Sequence, residues 1–422
     1  MSFLKLNKGF FIAIIGLVLI NILLEYYYLN FICPKYFYAG FVLDFSFVKY
    51  FESKAWFTGL LFVSLIINKK SSFIGALYLF LLLMIFVPGH IIYSYSNGMR
   101  QVFYSIVSFF LIVAAIAPIR IKMNIIRIKD KLTYISLIII TILLVLPIVY
   151  DFQFNINTNV LMLDDIYDVR SVLKENISFL SSYTFWWLAK VILPVLFVYS
   201  LTKKDYKTLL FAFAVLMYLF LISGHKSVYF TPILILFYYY LGKNYNQKIA
   251  LTMGLLLVFF IAINIPDFYI GRPIMKSIFI RRMFFVPALL NECYFDFFKD
   301  NHMYLSSSVL SDFITYPYDL PPEYLIGREY FGKPEMSSNA GILANGFMNF
   351  GYAGVFAYSF IFSVFLMILN SIKLNKRYFG LFIFFMFIFR GSPFFTTILT
   401  HGFWIVLILA FTVLPQRKRV ES

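Results

Sequence analysis

Histidine and cysteine are scarce in this chain. Four histidines and two cysteines among 422 residues leave too few soft ligands for the usual zinc arrangements. No H-E-x-x-H, C-x-x-C, G-x-x-x-x-G-K-[ST] or G-x-S-x-G run occurs. Nucleotide hydrolysis and a redox metal are thereby excluded as expected chemistry, and no cofactor is expected. Cys33 and Cys293, far apart in sequence, are expected as free structural thiols. Charge is scarce too. Asp, Glu, Lys and Arg make up 13% of the chain against 61% hydrophobic residues, and the mean hydropathy of +0.83 lies outside the soluble range. There is also no internal repeat, low-complexity tract or proline-rich linker, which argues against a carrier built from two matching halves.

What fills the sequence is a succession of apolar stretches separated by short polar turns. A stretch of about 20 apolar residues matches the ~30 Å hydrocarbon core of a bilayer. The stretches lie near 9–30, 55–68, 72–88, 102–118, 133–150, 183–201, 207–222, 228–242, 249–265, 340–369, 378–396 and 400–415. This predicts an all-α polytopic integral membrane protein of about twelve transmembrane helices, with residues 1–422 forming a single transmembrane domain. The first stretch follows Lys5 and Lys8 and ends in bulky residues with no small-residue cleavage site, so it is expected as an uncleaved span. The stretch ending at Pro88-Gly89 is a candidate broken helix.

The formal charge of +16 falls in small clusters at span ends and not on a soluble basic face, so nucleic acid is not an expected partner. Alternate turns carry Lys69 and Lys70, Lys203 and Lys204, and Lys373, Lys376 and Arg377, accompanied on that side only by the acids Asp130, Asp205 and Glu421. Positive residues stay inside, which predicts cytoplasmic N- and C-termini. The outer side then receives the segment 151–182, the turn Gly224-His225-Lys226-Ser227, and one long loop, 265–338, with interfacial helices.

Within that loop Arg272, Lys276, Arg281 and Arg282 precede Met283-Phe284-Phe285-Val286-Pro287. From Ala288 a helical period places Leu289, Cys293 and Phe297 on one line and Leu290, Tyr294 and Phe298 beside it, with Glu292, Asp296, Lys299 and Asp300 opposite. The expectation is an interfacial helix with a cationic entry and an acidic, water-facing side. Forked guanidinium groups suit a phosphate or diphosphate, and a nearby carboxylate suits a base. The plainer reading is contact with lipid headgroups and solvated acids. Arg390 near the end of one stretch, His401 across the Pro393 break, and His225-Lys226 in a tight turn share depth and side, which favours a common anionic ligand over separate snorkelling. Asp164, Asp165 and Asp168 with Arg170 form a patch that fits a cation or sugar, or a merely solvated helix. Lys190, inside a span, seeks an acid or a water path, with Glu25 one of several possible partners.

In order along the chain, Tyr167-Asp168-Val169-Arg170, Gly224-His225-Lys226-Ser227, Arg281 to Ala288 with Tyr294-Phe295-Asp296-Phe297-Phe298, Asn339 with Asn349-Phe350-Gly351-Tyr352-Ala353-Gly354, and Arg390 with Thr400-His401-Gly402 resemble the bacterial oligosaccharide repeat-unit polymerases of the O-antigen or capsule polymerase family. The resemblance runs from about Asp151 to the C-terminus, and the earlier spans match in hydropathy alone. Where relatives often carry an acid before a glycine, this chain has Asn345-Gly346, so no carboxylate role carries over there. Close packing through Gly341, Gly346, Gly351 and Gly354 is the favoured reading of that stretch.

The resemblance implies a metal-independent glycosyltransferase at the periplasmic face of a bacterial inner membrane. It would join undecaprenyl-diphosphate-linked oligosaccharides, one as donor and one as acceptor, into O-antigen or capsular polysaccharide, with membrane lipid and a chain-length regulator as partners. Arg282, Arg281, Lys226 and Arg390 would clamp the diphosphate, with Arg272 and His401 also on the binding side and Arg170 steering the sugar. The base would come from Asp296, Glu292, His225 or His401. A ligase moving finished polymer to a lipid acceptor, and a flippase for the same lipid-linked sugar, are the alternatives.

Overall fold

The computed structural model describes residues 7–124, 129–153, 155–157 and 176–416. Among them there is no β-strand, and helices are the regular structure. Among the described residues eight helices are long and apolar enough to cross a membrane, and Arg100–Ile116, Phe230–Tyr240 and Phe403–Thr412 are shorter apolar helices. The chain is thus an α-helical polytopic membrane protein. The apolar stretches lie on helices, but the shortest of them yield helices of 10–17 residues, about 15–25 Å at 1.5 Å per residue.

Packing divides the chain into two compact units. The first holds residues 1–121, 242–370 and 386–394; the second holds 122–241, 371–385 and 395–422.

In the first unit, Ser72–Tyr95 is the enclosed element, with 94% of its apolar window buried. Helix Lys8–Tyr27 runs against Tyr245–Ala262 at close range, because Gly16 leaves no room for a Cβ beside Met253. Helix Ile342–Ser371 is broken at Phe350 and at Gly351, whose φ is +60°. The long loop is largely helical and carries Asn264–Ile270, Ser277–Phe285, Val286–Phe297 and Pro322–Phe331.

In the second unit, the helical run Phe179–Lys203 is the enclosed element, with 83% of its window buried. It packs with Asp130–Phe152, Tyr206–Ser223 and Lys226–Tyr240. Asp205 opens Tyr206–Ser223 by accepting the Thr208 N–H at 3.2 Å.

One local rule recurs in both units. Among the described residues four widened π-helical turns, Tyr28–Ile32, Leu82–Phe86, Leu188–Ile192 and Ser277–Phe285, are each followed at the second residue by a proline: Pro34, Pro88, Pro194 and Pro287. A proline lacks its N–H and its ring collides with the carbonyl four residues back. An extra residue in the preceding turn moves that carbonyl away. Pro147 and Pro232 lie within helices that lack such a turn.

Candidate functional site

The arginine pair lies on the longest of these widened turns. Along Ser277–Phe285 the side chains of Ile280, Phe284 and Phe285 are buried, which anchors the turn and presents the arginines on the other side. Arg281 is half-buried, with its guanidinium 4.2 Å from the Tyr36 ring centre and its Nε and Nη2 donating to Ser277 Oγ at 3.3 and 3.2 Å. Arg282 and Arg272 are exposed. Lys276 leans toward Asp267, 3.8 Å away, and donates to Asn264.

The turn runs straight into helix Val286–Phe297, and that helix meets Arg390 within the first unit. Pro287, Ala288 and Asn291 line a cleft with Arg390, Gly341 and Met84. The cleft is narrow, with room for little more than a water-sized group. Arg390 Nε and Nη1 are buried without a hydrogen-bond partner among the described residues, and the guanidinium lies 4.3 Å from the Phe387 ring centre. A guanidinium desolvated without a carboxylate is costly. The backbone holds it there, since the Arg390 carbonyl sits directly against Gly341, where any Cβ would collide.

The two acids of the same helix go elsewhere. Glu292 Oε2 accepts the Met99 N–H at 2.8 Å, at the start of helix Arg100–Ile116, and Oε1 lies close over Gly98. Burial pushes its carboxyl up to about 7, against the opposing pull of the Met99 N–H and of Lys49. Asp296 is held below the usual carboxylate range by the Tyr330 hydroxyl, at 2.7 Å, and by Lys299, at 3.0 Å. The expected water-facing acidic side is therefore divided. Glu292 acts as a cap on a neighbouring helix, Asp296 belongs to a surface pair, and Lys299 and Asp300 lie beyond the helix end.

The asparagines near the break in Ile342–Ser371 are structural. Asn345 Oδ1 accepts the Phe394 N–H at 3.1 Å, and Asn349 Oδ1 accepts the Leu305 N–H at 2.8 Å.

A polar network in the first unit has no counterpart in the sequence reading. Glu25 pairs with Lys54 and accepts from Asn21 at 2.7 Å, while Asn21 Oδ1 meets His90 Nε2 at 2.6 Å. Glu52 accepts from the Tyr93 and Tyr104 hydroxyls, and Lys49 donates to the Asn97 and Gly98 carbonyls at 3.0 and 2.8 Å. Its contacts join Asn21 and Glu25 of one helix, Lys49, Glu52 and Lys54 of a second, and His90 and Tyr93 of a third, so spacing within a single helix does not reveal the pairings. Glu25 is thus committed to Lys54 and is not the partner of Lys190.

In the second unit the partner of Lys190 is His401, with Nζ and Nδ1 2.8 Å apart. Lys190 also lies 4.1 Å from the Trp186 ring centre, and Trp186 stands 5.1 Å from the His225 ring and 6.0 Å from that of His401. His225 and His401 are thereby gathered around one indole. Lys226 opens helix Lys226–Tyr240, and its side chain lies outside the described residues, as do Arg170 and the Asp164, Asp165 and Asp168 patch. Cys33 and Cys293 are both buried and free.

The expected site residues therefore fall into two groups. Arg272, Arg281, Arg282, Glu292, Asp296 and Arg390 belong to the first unit, and His225, Lys226 and His401 to the second. No family model, no curated protein and no solved structure matches this chain.

Proposed function

We propose that this protein is a glycosyltransferase that polymerises lipid-diphosphate-linked oligosaccharide repeat units at the outer face of a bacterial inner membrane. We further infer about twelve crossings with both termini cytoplasmic, a reading supported by the lysine and arginine clusters in alternate turns. The observation that carries the proposal is Arg390, a half-buried cation whose buried Nε and Nη1 have no hydrogen-bond partner among the described residues, lining one cleft with the helix that continues from the Arg281-Arg282 turn.

Breaking a glycosidic bond to a lipid diphosphate puts charge on the leaving oxygens. A guanidinium already stripped of water gains more from that charge than a hydrated one. The cleft admits an oxygen-sized group and not a sugar ring, so Arg390 is assigned to a phosphoryl oxygen. The exposed Arg282 and Arg272 are assigned to capturing the headgroup from the membrane surface. Arg281, tied to Tyr36 and Ser277, holds the turn in place. The activity is proposed to run without a metal, the guanidinium groups supplying the positive charge.

Deletion of the gene in its host, followed by chain-length analysis of the surface polysaccharide, tests this. Single repeat units without ladders are expected. Carrier-linked polymer of normal length that never reaches its envelope acceptor would point to the ligase, and unextended units trapped on the cytoplasmic side to the flippase.

A further inference from the structure

We infer that a pocket at the opposite end of the first unit binds an anionic glycerophospholipid, its phosphate against Lys70 and Arg120 and its chains along helices Lys8–Tyr27 and Phe47–Lys70. The charge clusters assign this end to the cytoplasm. Along the run Ser72–Tyr95, Ser72 lines this pocket while Met84, Ile85 and Pro88 line the Arg390 cleft. Residues 72 and 84 are separated by about 18 Å of helix, so the lipid would bind whatever chemistry the outer face performs.

The fold gathers helix ends here. Lys8–Tyr27 and Tyr245–Ala262 run parallel, with Gly9 beside Asn246 and Gly16 beside Met253, so both begin at this end. Phe47–Lys70 finishes here and turns at Ser71 into Ser72–Leu81. Asn7, Ser71 and Asn244 cap the three helices that start, each accepting a backbone N–H from the first turn. Three positive helix ends therefore meet. Asn370 fixes the remaining wall, its Oδ1 accepting from Ser71 Oγ at 2.6 Å and its Nδ2 donating to the Ala117 and Pro118 carbonyls at 3.2 and 3.1 Å. That holds the chain leading to Arg120 beside the Lys70 turn.

The lining asks for an anion. Lys69, Lys70 and Arg120 share the pocket with the helix ends, and among the described residues no carboxylate lines it. Its wall also asks for a hydrogen-bond donor. Asn246 lines the pocket at only 4% exposed, and its Oδ1 has no hydrogen-bond partner among the described residues, a condition that costs free energy until a donor arrives. A phosphate flanked by hydroxyl groups supplies both the anion and the donor, which favours phosphatidylglycerol.

The apolar part of the pocket selects a lipid over a soluble anion. Phe10 and Leu65 line it, and the residues that follow on the same helices, Phe11, Ile12 and Ile66, are exposed large hydrophobics. A soluble anion leaves that surface as it is. An acyl chain anchored by its headgroup in the pocket covers it.

The test titrates the full-length protein in detergent with palmitoyl-oleoyl phosphatidylglycerol and follows thermal melting. A saturable rise in Tm that weakens with added salt is expected, and phosphatidylcholine with the same chains should give none. Lys70→Gln combined with Arg120→Gln should weaken the apparent affinity by about 30-fold. Both side chains are exposed, so the lipid-free Tm should not change. Lys131→Gln, at an exposed lysine of the other unit, should bind as wild type does. Lys70→Gln alone should show a smaller loss that Lys70→Arg restores, which keeps the test open if the double variant fails to insert. An equal rise with phosphatidylcholine, or an undiminished rise in the Lys70 and Arg120 variants, overturns the site. The same rise from inorganic phosphate at equal concentration overturns the lipid as its occupant.

Discussion

Gly346 and Gly354 face each other across the break at Phe350-Gly351, and a Cβ on Gly354 would collide with the Gly346 carbonyl. The obstacle is backbone, which cannot swing aside as a side chain can. Overpacking of this kind costs about 1–3 kcal/mol even where neighbours relax, so Gly354→Val is expected at or beyond the upper end. A thermal melt in detergent should show a large fall in Tm, whereas Gly59→Val, at a position with open space around it, should show almost none. Equal melting of the two variants would remove the close-packing argument.

Arg390 separates stability from activity. Its buried Nε and Nη1 have no hydrogen-bond partner among the described residues, so an apolar side chain of similar length removes an uncompensated desolvation cost. Arg390→Met, of similar length and apolar, should therefore leave the melting temperature equal or higher and abolish the polysaccharide ladder. A variant that both melts early and loses ladders would make Arg390 a structural residue.

The sequence showed the helical membrane architecture clearly, because apolar stretches of spanning length have one physical meaning. It also placed the cationic turn, since Arg272, Lys276, Arg281 and Arg282 crowd into one short segment ahead of Pro287. Pairings between distant residues were not legible. Glu25 with Lys54 and Lys190 with His401 depend on which helix ends meet, and no periodicity within a helix encodes that. The side to which Glu292 points was misjudged for a similar reason. Helical spacing groups Glu292 with Asp296, yet the start of another helix, at Met99, takes the first carboxylate and leaves the second to Tyr330. The widened turns had no readable signal either, since a proline follows an apolar run both at Pro88, where the turn widens, and at Pro147, where it does not.

The paired arginines should respond differently to removal. Arg281 stacks on Tyr36 and bonds to Ser277, so Arg281→Ala should lose about 0.5–1 kcal/mol of cation–π energy and shorten the ladders partially. Arg282 is exposed, so Arg282→Ala should melt like wild type and lose the ladders. Arg282→Lys should restore them only in part, because an ammonium lacks the fork that engages two phosphoryl oxygens. Full ladders in Arg282→Ala, with normal membrane insertion, would remove this residue from the site.

Glu292 predicts a pH dependence whose sign is fixed by its burial. Its carboxyl is raised from the ordinary 4.5 to about 7 in the folded protein, so between those values the folded state binds more protons than the unfolded one. Stability is then fully present below about pH 4.5 and falls as pH rises toward 7, by an amount of the order of 3 kcal/mol at most. Glu292→Gln keeps an acceptor for the Met99 N–H without a charge to desolvate. Melting curves from pH 5 to 8 should therefore slope downward for wild type and lie flatter for the variant, which becomes the more stable of the two at pH 8. If Glu292 only caps helix Arg100–Ile116, the variant also keeps its ladders. Loss of ladders with the stability gain intact would instead make Glu292 the base.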